Sequence, residues 1–77
     1  MINAYVLVQV KVGRSAEVAS EIARIEGVSS SDVVSGPYDV IALAEAVDID
    51  DLGKLVVARI QAVDGVTRTL TCPTIKL

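Results

Sequence analysis

From Ala4 to Val12 the β-branched residues Val6, Val8, Val10 and Val12 alternate with Leu7, Gln9 and Lys11. A period of two rich in such side chains predicts a strand. Gly13-Arg14-Ser15 ends the alternation, and the spacing then changes. Val18, Ala19, Ile22 and Ile25 recur at helical intervals, with Glu17, Ser20, Glu21 and Arg24 on the opposite face. Ser15 is placed to cap this helix, Glu17 falls in its first turn, and Gly27 supplies the stop. A weaker strand at about Ser31 to Ser35 follows. The turn Ser35-Gly36-Pro37-Tyr38-Asp39 then leads into a stronger strand from Asp39 to Ala46.

The second half repeats the plan. Asp48 is placed to cap a helix whose Leu52, Leu55, Val56, Ile60 and Val63 share one face. It ends at Gly65, before a last strand from Val66 to about Cys72. The two helix exits, Ile25-Glu26-Gly27-Val28 and Val63-Asp64-Gly65-Val66, share the order apolar, acidic, Gly, Val, as a duplicated β-α-β unit would. The order β-α-β-β-α-β predicts an α+β, ferredoxin-like fold: an antiparallel sheet with both helices on one face.

A sheet covered on one face only is polar on the other in a monomer, and these strands are not. Val6, Val8 and Val10 oppose Tyr5 and Leu7, while Val40, Ala42 and Ala44 oppose Ile41 and Leu43. Two helices cover one face. The other, carrying Tyr5, Leu7, Ile41 and Leu43, is expected to pair with a second copy about a two-fold axis, giving a dimeric α+β sandwich. Composition points the same way. The chain has 77 residues, enough for a single domain over 1–77, and 52% of them are apolar, yet it lacks Trp and Phe and has two Tyr. Small side chains bury little area each, so association is a natural source of further burial.

The formal net charge is -3, with no His and with Lys and Arg scattered singly. That argues against a phosphate-tracking surface, hence against direct nucleic-acid binding. The start Met1-Ile2-Asn3-Ala4-Tyr5 lacks a signal-peptide pattern, and no apolar run approaches the roughly 18 residues of a membrane span. No membrane partner and a cytoplasmic location are expected. The single Cys72 excludes an internal disulfide and fits a reducing compartment.

Catalysis requires a positioned base, a nucleophile and usually an electrophilic stabiliser, and nothing here assembles such a set. No catalytic residue, metal ligand or cofactor is assigned, and the protein is read as a non-enzyme. Asp48, Asp50 and Asp51 are explained by capping and the helix dipole, since no oxygen-rich loop with a Gly turn and a distal Glu follows. Thr67, Thr69 and Thr71 fall on one face of the last strand, with Arg68, Leu70 and Cys72 on the other. They suit either a solvated edge face or a polar ligand lining. In the central turn, Gly36 and Pro37 need no ligand to explain them. Tyr38 and Asp39 are less well explained by a turn alone. An aromatic wall, a hydroxyl and an acceptor beside backbone groups freed by the turn suit an α-amino acid or a related small zwitterionic metabolite.

These features together resemble the effector-binding (RAM) domain of the Lrp/AsnC transcription regulators. The resemblance spans essentially the whole chain: the element order, Gly27-Val28, the run Gly36-Pro37-Tyr38-Asp39 against the family's Gly-x-Tyr-Asp, and Gly65-Val66-Thr67-Arg68-Thr69. It implies dimers that associate further, often as octamers, with amino-acid effectors in clefts between dimers beside the Gly-x-Tyr-Asp turn. Carried over, Gly36 lets a ligand approach the backbone, Tyr38 and Asp39 line the cleft, and Thr69 and Thr71 are lesser candidates. Pro37 departs from a donor-bearing turn, because it has no N–H to offer a carboxylate. The family's helix-turn-helix segment has no counterpart here, so a stand-alone effector domain is expected, acting through homo-oligomers or through full-length Lrp/AsnC regulators. The alternative expectation is an assembly module that forms mixed oligomers with such regulators and binds no ligand of its own.

Overall fold

A computed structural model describes all 77 residues. Four strands, β1 (Ile2–Val10), β2 (Val28–Val33), β3 (Val40–Ala46) and β4 (Val66–Pro73), form one sheet in the order β2-β3-β1-β4, and every pairing is antiparallel. Helix α1 (Ser15–Ala23) links β1 to β2, and helix α2 (Ile49–Lys54) begins the link from β3 to β4. The element order and the α+β ferredoxin-like architecture are those predicted.

Both helices lie against one face of the sheet. There Ala4, Val6 and Val8 of β1 and Val40, Ala42, Ala44 and Ala46 of β3 are buried against Val18, Ala19 and Ile22 of α1 and Leu52, Val56 and Ile60. Of these 13 core residues, Ala4, Ala19, Ala42, Ala44 and Ala46 are alanines, so the helices sit close to the sheet and each contact removes little area from water. At Gly27 the conformation itself demands glycine. Its φ is +96°, and a Cβ there would stand 2.5 Å from Leu55 Cδ1 and 3.2 Å from the Glu45 carbonyl oxygen. The close approach lets Glu45 N–H donate to the Gly27 carbonyl at 2.7 Å, fastening the α1 exit onto β3.

Several boundaries differ from the sequence reading. β1 starts at Ile2, whose partner is Ala46, and stops at Val10 instead of Val12, because the β1–β4 register shifts at Gln9/Val10. Lys11 N–H then bonds the Gly65 carbonyl at 2.9 Å, outside the strand. β2 begins at Val28, directly after Gly27, and not near Ser31. The register shift between Val28 and Ser30 breaks its period of two and so hides it from the pattern. The cap of α1 is Arg14, with no side-chain capping bond, and Ser15 is the first helical residue. Arg14 is otherwise engaged: its Nε bonds Glu17 and its Nη2 lies 3.2 Å from Asp64 Oδ2, so it clasps the start of α1 to the turn before β4. These bonds, Glu17 first and Asp64 second, raise the guanidinium pKa above its already high ordinary value.

The second helix changes winding. After Lys54 the segment Leu55–Ile60 is π-helical, closed by Gln61 N–H to the Val56 carbonyl at 2.8 Å. Its buried positions Leu52, Val56 and Ile60 are spaced by four. On an α-helix such a series drifts by about 40° per step, and wider turns bring it back over the sheet. Asp48 caps α2 as expected, its Oδ1 accepting from Asp51 N–H at 2.9 Å. No helix is long and apolar enough to cross a membrane.

Candidate functional site: the turn and the open sheet face

The chain between β2 and β3 is a loop held on both sides. Val34 N–H donates to the Asp39 carbonyl at 2.9 Å, closing the loop on itself. Asp39 N–H donates to the Val8 carbonyl at 2.9 Å, and the Asp39 carboxylate accepts from Val10 N–H, also at 2.9 Å. The side chain of Asp39 thus takes up the backbone donor released where β1 leaves the regular ladder. Gln9 Nε2 adds a bond to the Pro37 carbonyl at 3.0 Å. Asp39 is therefore a structural residue in its own right, with one carboxylate oxygen committed within the chain.

Around this clasp Tyr38 and Asp39 are half-buried, while Gly36 and Pro37 are exposed. Gly36 has no positive φ and a Cβ there would touch nothing within 4 Å, so the fold itself does not require glycine at this position. None of the three principal grooves of the chain is lined by Gly36, Pro37, Tyr38 or Asp39.

The face of the sheet away from the helices carries an uncovered apolar band, flanked by Asn3 and Glu45 at one end, Gln9 and Arg68 at the other, and Asp32 on β2. Register sets Tyr5 opposite Leu43 and Cys72, and Leu7 opposite Ile41 and Leu70. Tyr5, Leu7, Ile41 and Leu43 share this face, and Leu70 extends the band across β4. Tyr5 is 48% and Leu70 47% exposed, although both sit within a sheet. The sequence-derived set omits Leu70, yet the alternation of β4 contains the signal. Gln9 shares the face of Leu7, so its bond to Pro37 places the loop at the rim of the open face.

Thr69 and Thr71 lie elsewhere. Opposite Val8 and Val6, they face the helices, where Thr69 Oγ1 accepts from Gln61 Nε2 at 2.8 Å. Thr67 stands at the register shift and donates to the Gln9 carbonyl at 3.2 Å. Within one chain, then, the two threonines and the Gly36–Asp39 loop do not share a cavity. The threonines line a separate groove of about 370 Å3 between the second helix and β4.

The model of the Lrp/AsnC ligand-binding domain matches residues 3–76. Over 55 residues the chain is 34% identical to an uncharacterized HTH-type transcriptional regulator of Pyrococcus furiosus, PF0250, covering 71% of this chain and 37% of that regulator. The crystal structure of TTHA0845 from Thermus thermophilus superposes with a TM-score of 0.93 at 32% identity, over 100% of this chain and 96% of that one. A transcriptional regulator of Neisseria meningitidis, NMB0573, solved as a complex with L-Met, has the same fold, with a TM-score of 0.85 at 18% identity over 97% of this chain and 50% of that one. The present chain thus spans well under half of its Pyrococcus relative. With the predicted element order and a family match running nearly end to end, the chain belongs to the Lrp/AsnC ligand-binding domain family.

Proposed function

We propose that the chain is an amino-acid-responsive assembly domain. Two copies pair through the open face formed by Tyr5, Leu7, Ile41, Leu43 and Leu70, and dimers associate further. An amino acid occupies the cleft that this association closes over the Gly36–Asp39 loop. The observation that carries the reading is the position of that loop at the rim of an apolar face left uncovered by the helices. Gly36 leaves the backbone approachable, Tyr38 supplies an aromatic wall, and Asp39 holds the loop's shape while its second oxygen remains a candidate acceptor. The L-Met complex of the Neisseria regulator supports an amino acid as the ligand class.

Regulation then needs no catalysis. A ligand that prefers one assembly shifts the population by its differential affinity, in homo-oligomers or in mixed oligomers with full-length regulators in the cytoplasm. Calorimetric titration with the twenty amino acids tests this. At least one should bind saturably, and Tyr38→Ala should weaken it by about tenfold or more, equivalent to about 1.4 kcal/mol. Absence of binding across the panel would leave the ligand-free assembly module as the better account.

A further inference from the structure

Gly53 lies inside α2, where glycine is the least favourable residue after proline. Nothing within the chain asks for it. The positive-φ glycines are Gly13, Gly27 and Gly65, and a Cβ on Gly53 would meet nothing within 4 Å. Gly27 and Gly65 are fixed by backbone conformation and close packing; Gly53 is fixed by neither. What it does is keep space open over the groove of about 370 Å3, within the range of small-molecule sites, between the second helix and β4.

The groove has two chemically distinct sides. Leu52, Val56 and Val57 give an apolar wall, and Thr69 and Thr71 give hydroxyls, with Gln61 bridged to Thr69 at 2.8 Å. No charged side chain lines it. β4 is an edge strand, so backbone groups on its outer side have no neighbouring strand to pair with. The apolar wall also includes π-wound residues, and such winding is rare and recurs at functional sites.

We propose that this groove binds an uncharged small molecule with a branched apolar body and a carbonyl or hydroxyl group. The body packs on Leu52, Val56 and Val57 in the space that Gly53 leaves free. The polar group is met by the Gln61 amide and the threonine hydroxyls. A carboxylate or ammonium would meet no opposite charge in the lining, so charged analogues bind more weakly. The site is separate from the Gly36–Asp39 loop and does not depend on it.

The test is an amide-detected NMR titration with isovaleramide, using isovalerate and isopentylamine as charged counterparts of the same body. Isovaleramide should shift the Gly53, Val57, Thr69 and Thr71 amides saturably, and the charged analogues should bind at least about tenfold more weakly. Gly53→Leu should abolish the response, and Tyr38→Ala should leave it intact, which separates this site from the loop. Gly53→Ala should raise the melting temperature, because alanine is the better helix former. Three results would overturn the proposal: no saturable shift in the wild-type protein, a lower melting temperature for Gly53→Ala, which would assign the glycine to the helix's own winding, or a change of oligomer mass in Gly53→Leu, which would assign the groove to a second copy.

Discussion

Asp39, proposed to line the ligand cleft, is also tied into the fold, and the two roles separate energetically. In Asp39→Ala the Val10 N–H loses its acceptor at a partly buried position where the β1 register has already shifted. An orphaned buried donor costs about 1–3 kcal/mol, and with partial access to water a value near 2 kcal/mol is expected. In a domain of this size each kcal/mol moves the melting temperature by about 4–8 °C, so the variant should melt roughly 8–16 °C lower. Asp39→Asn keeps a side-chain oxygen able to accept from Val10 and should recover all but about 1 kcal/mol. The backbone bonds of residue 39 to Val8 and Val34 survive both changes, so the loop should loosen without unravelling. Urea unfolding at fixed protomer concentration measures this, the concentration being held because assembly itself stabilises. If alanine costs less than about 0.5 kcal/mol, or if asparagine is no better than alanine, the clasp does not hold the loop.

Leu7→Glu puts a charge at the middle of the open face, between Ile41 and Leu70, and should yield a folded species of the protomer mass, 8.1 kDa, in sedimentation. Gly27→Ala combines a left-handed backbone with a clash against Leu55 and the Glu45 carbonyl, whereas Gly13→Ala meets only the backbone strain of φ +81°. Chemical denaturation should show about 3 kcal/mol lost for the first and about 1 kcal/mol for the second. Asp48→Ala removes the α2 cap and should cost about 1 kcal/mol, with faster hydrogen exchange at the Asp51 amide.

What the sequence displayed was the part of the fold that repeats. The alternation of β1 and β3 and the paired exits at Gly27-Val28 and Gly65-Val66 are local patterns, and the structure uses both glycines at positive φ. The apolar residues left over after one sheet face was covered pointed to the open face for the same reason. What stayed hidden was set by long-range contacts. No local rule links Asp39 to Val10, 29 positions away in the chain, yet that bond gives the turn carboxylate a structural role. The cap at Arg14 was obscured because Ser15 is the better capping type, while Arg14 is held by Asp64, 50 positions on. The spacing of Leu52, Val56 and Ile60 fits a helical stripe, and only its fit to the sheet reveals the change to π winding. The alternation of β4 correctly puts Thr69 and Thr71 on one face. That this face looks toward Gln61, and not toward the Gly36–Asp39 loop, follows from the sheet order.

Assembly of copies through the open face, biased by an amino acid, is read out by light-scattering mass determination with and without each amino acid. The mass should be an even multiple of 8.1 kDa, with a shift in the assembly distribution on adding the binding amino acid. A single species at 8.1 kDa, unmoved by any member of the panel, would contradict it.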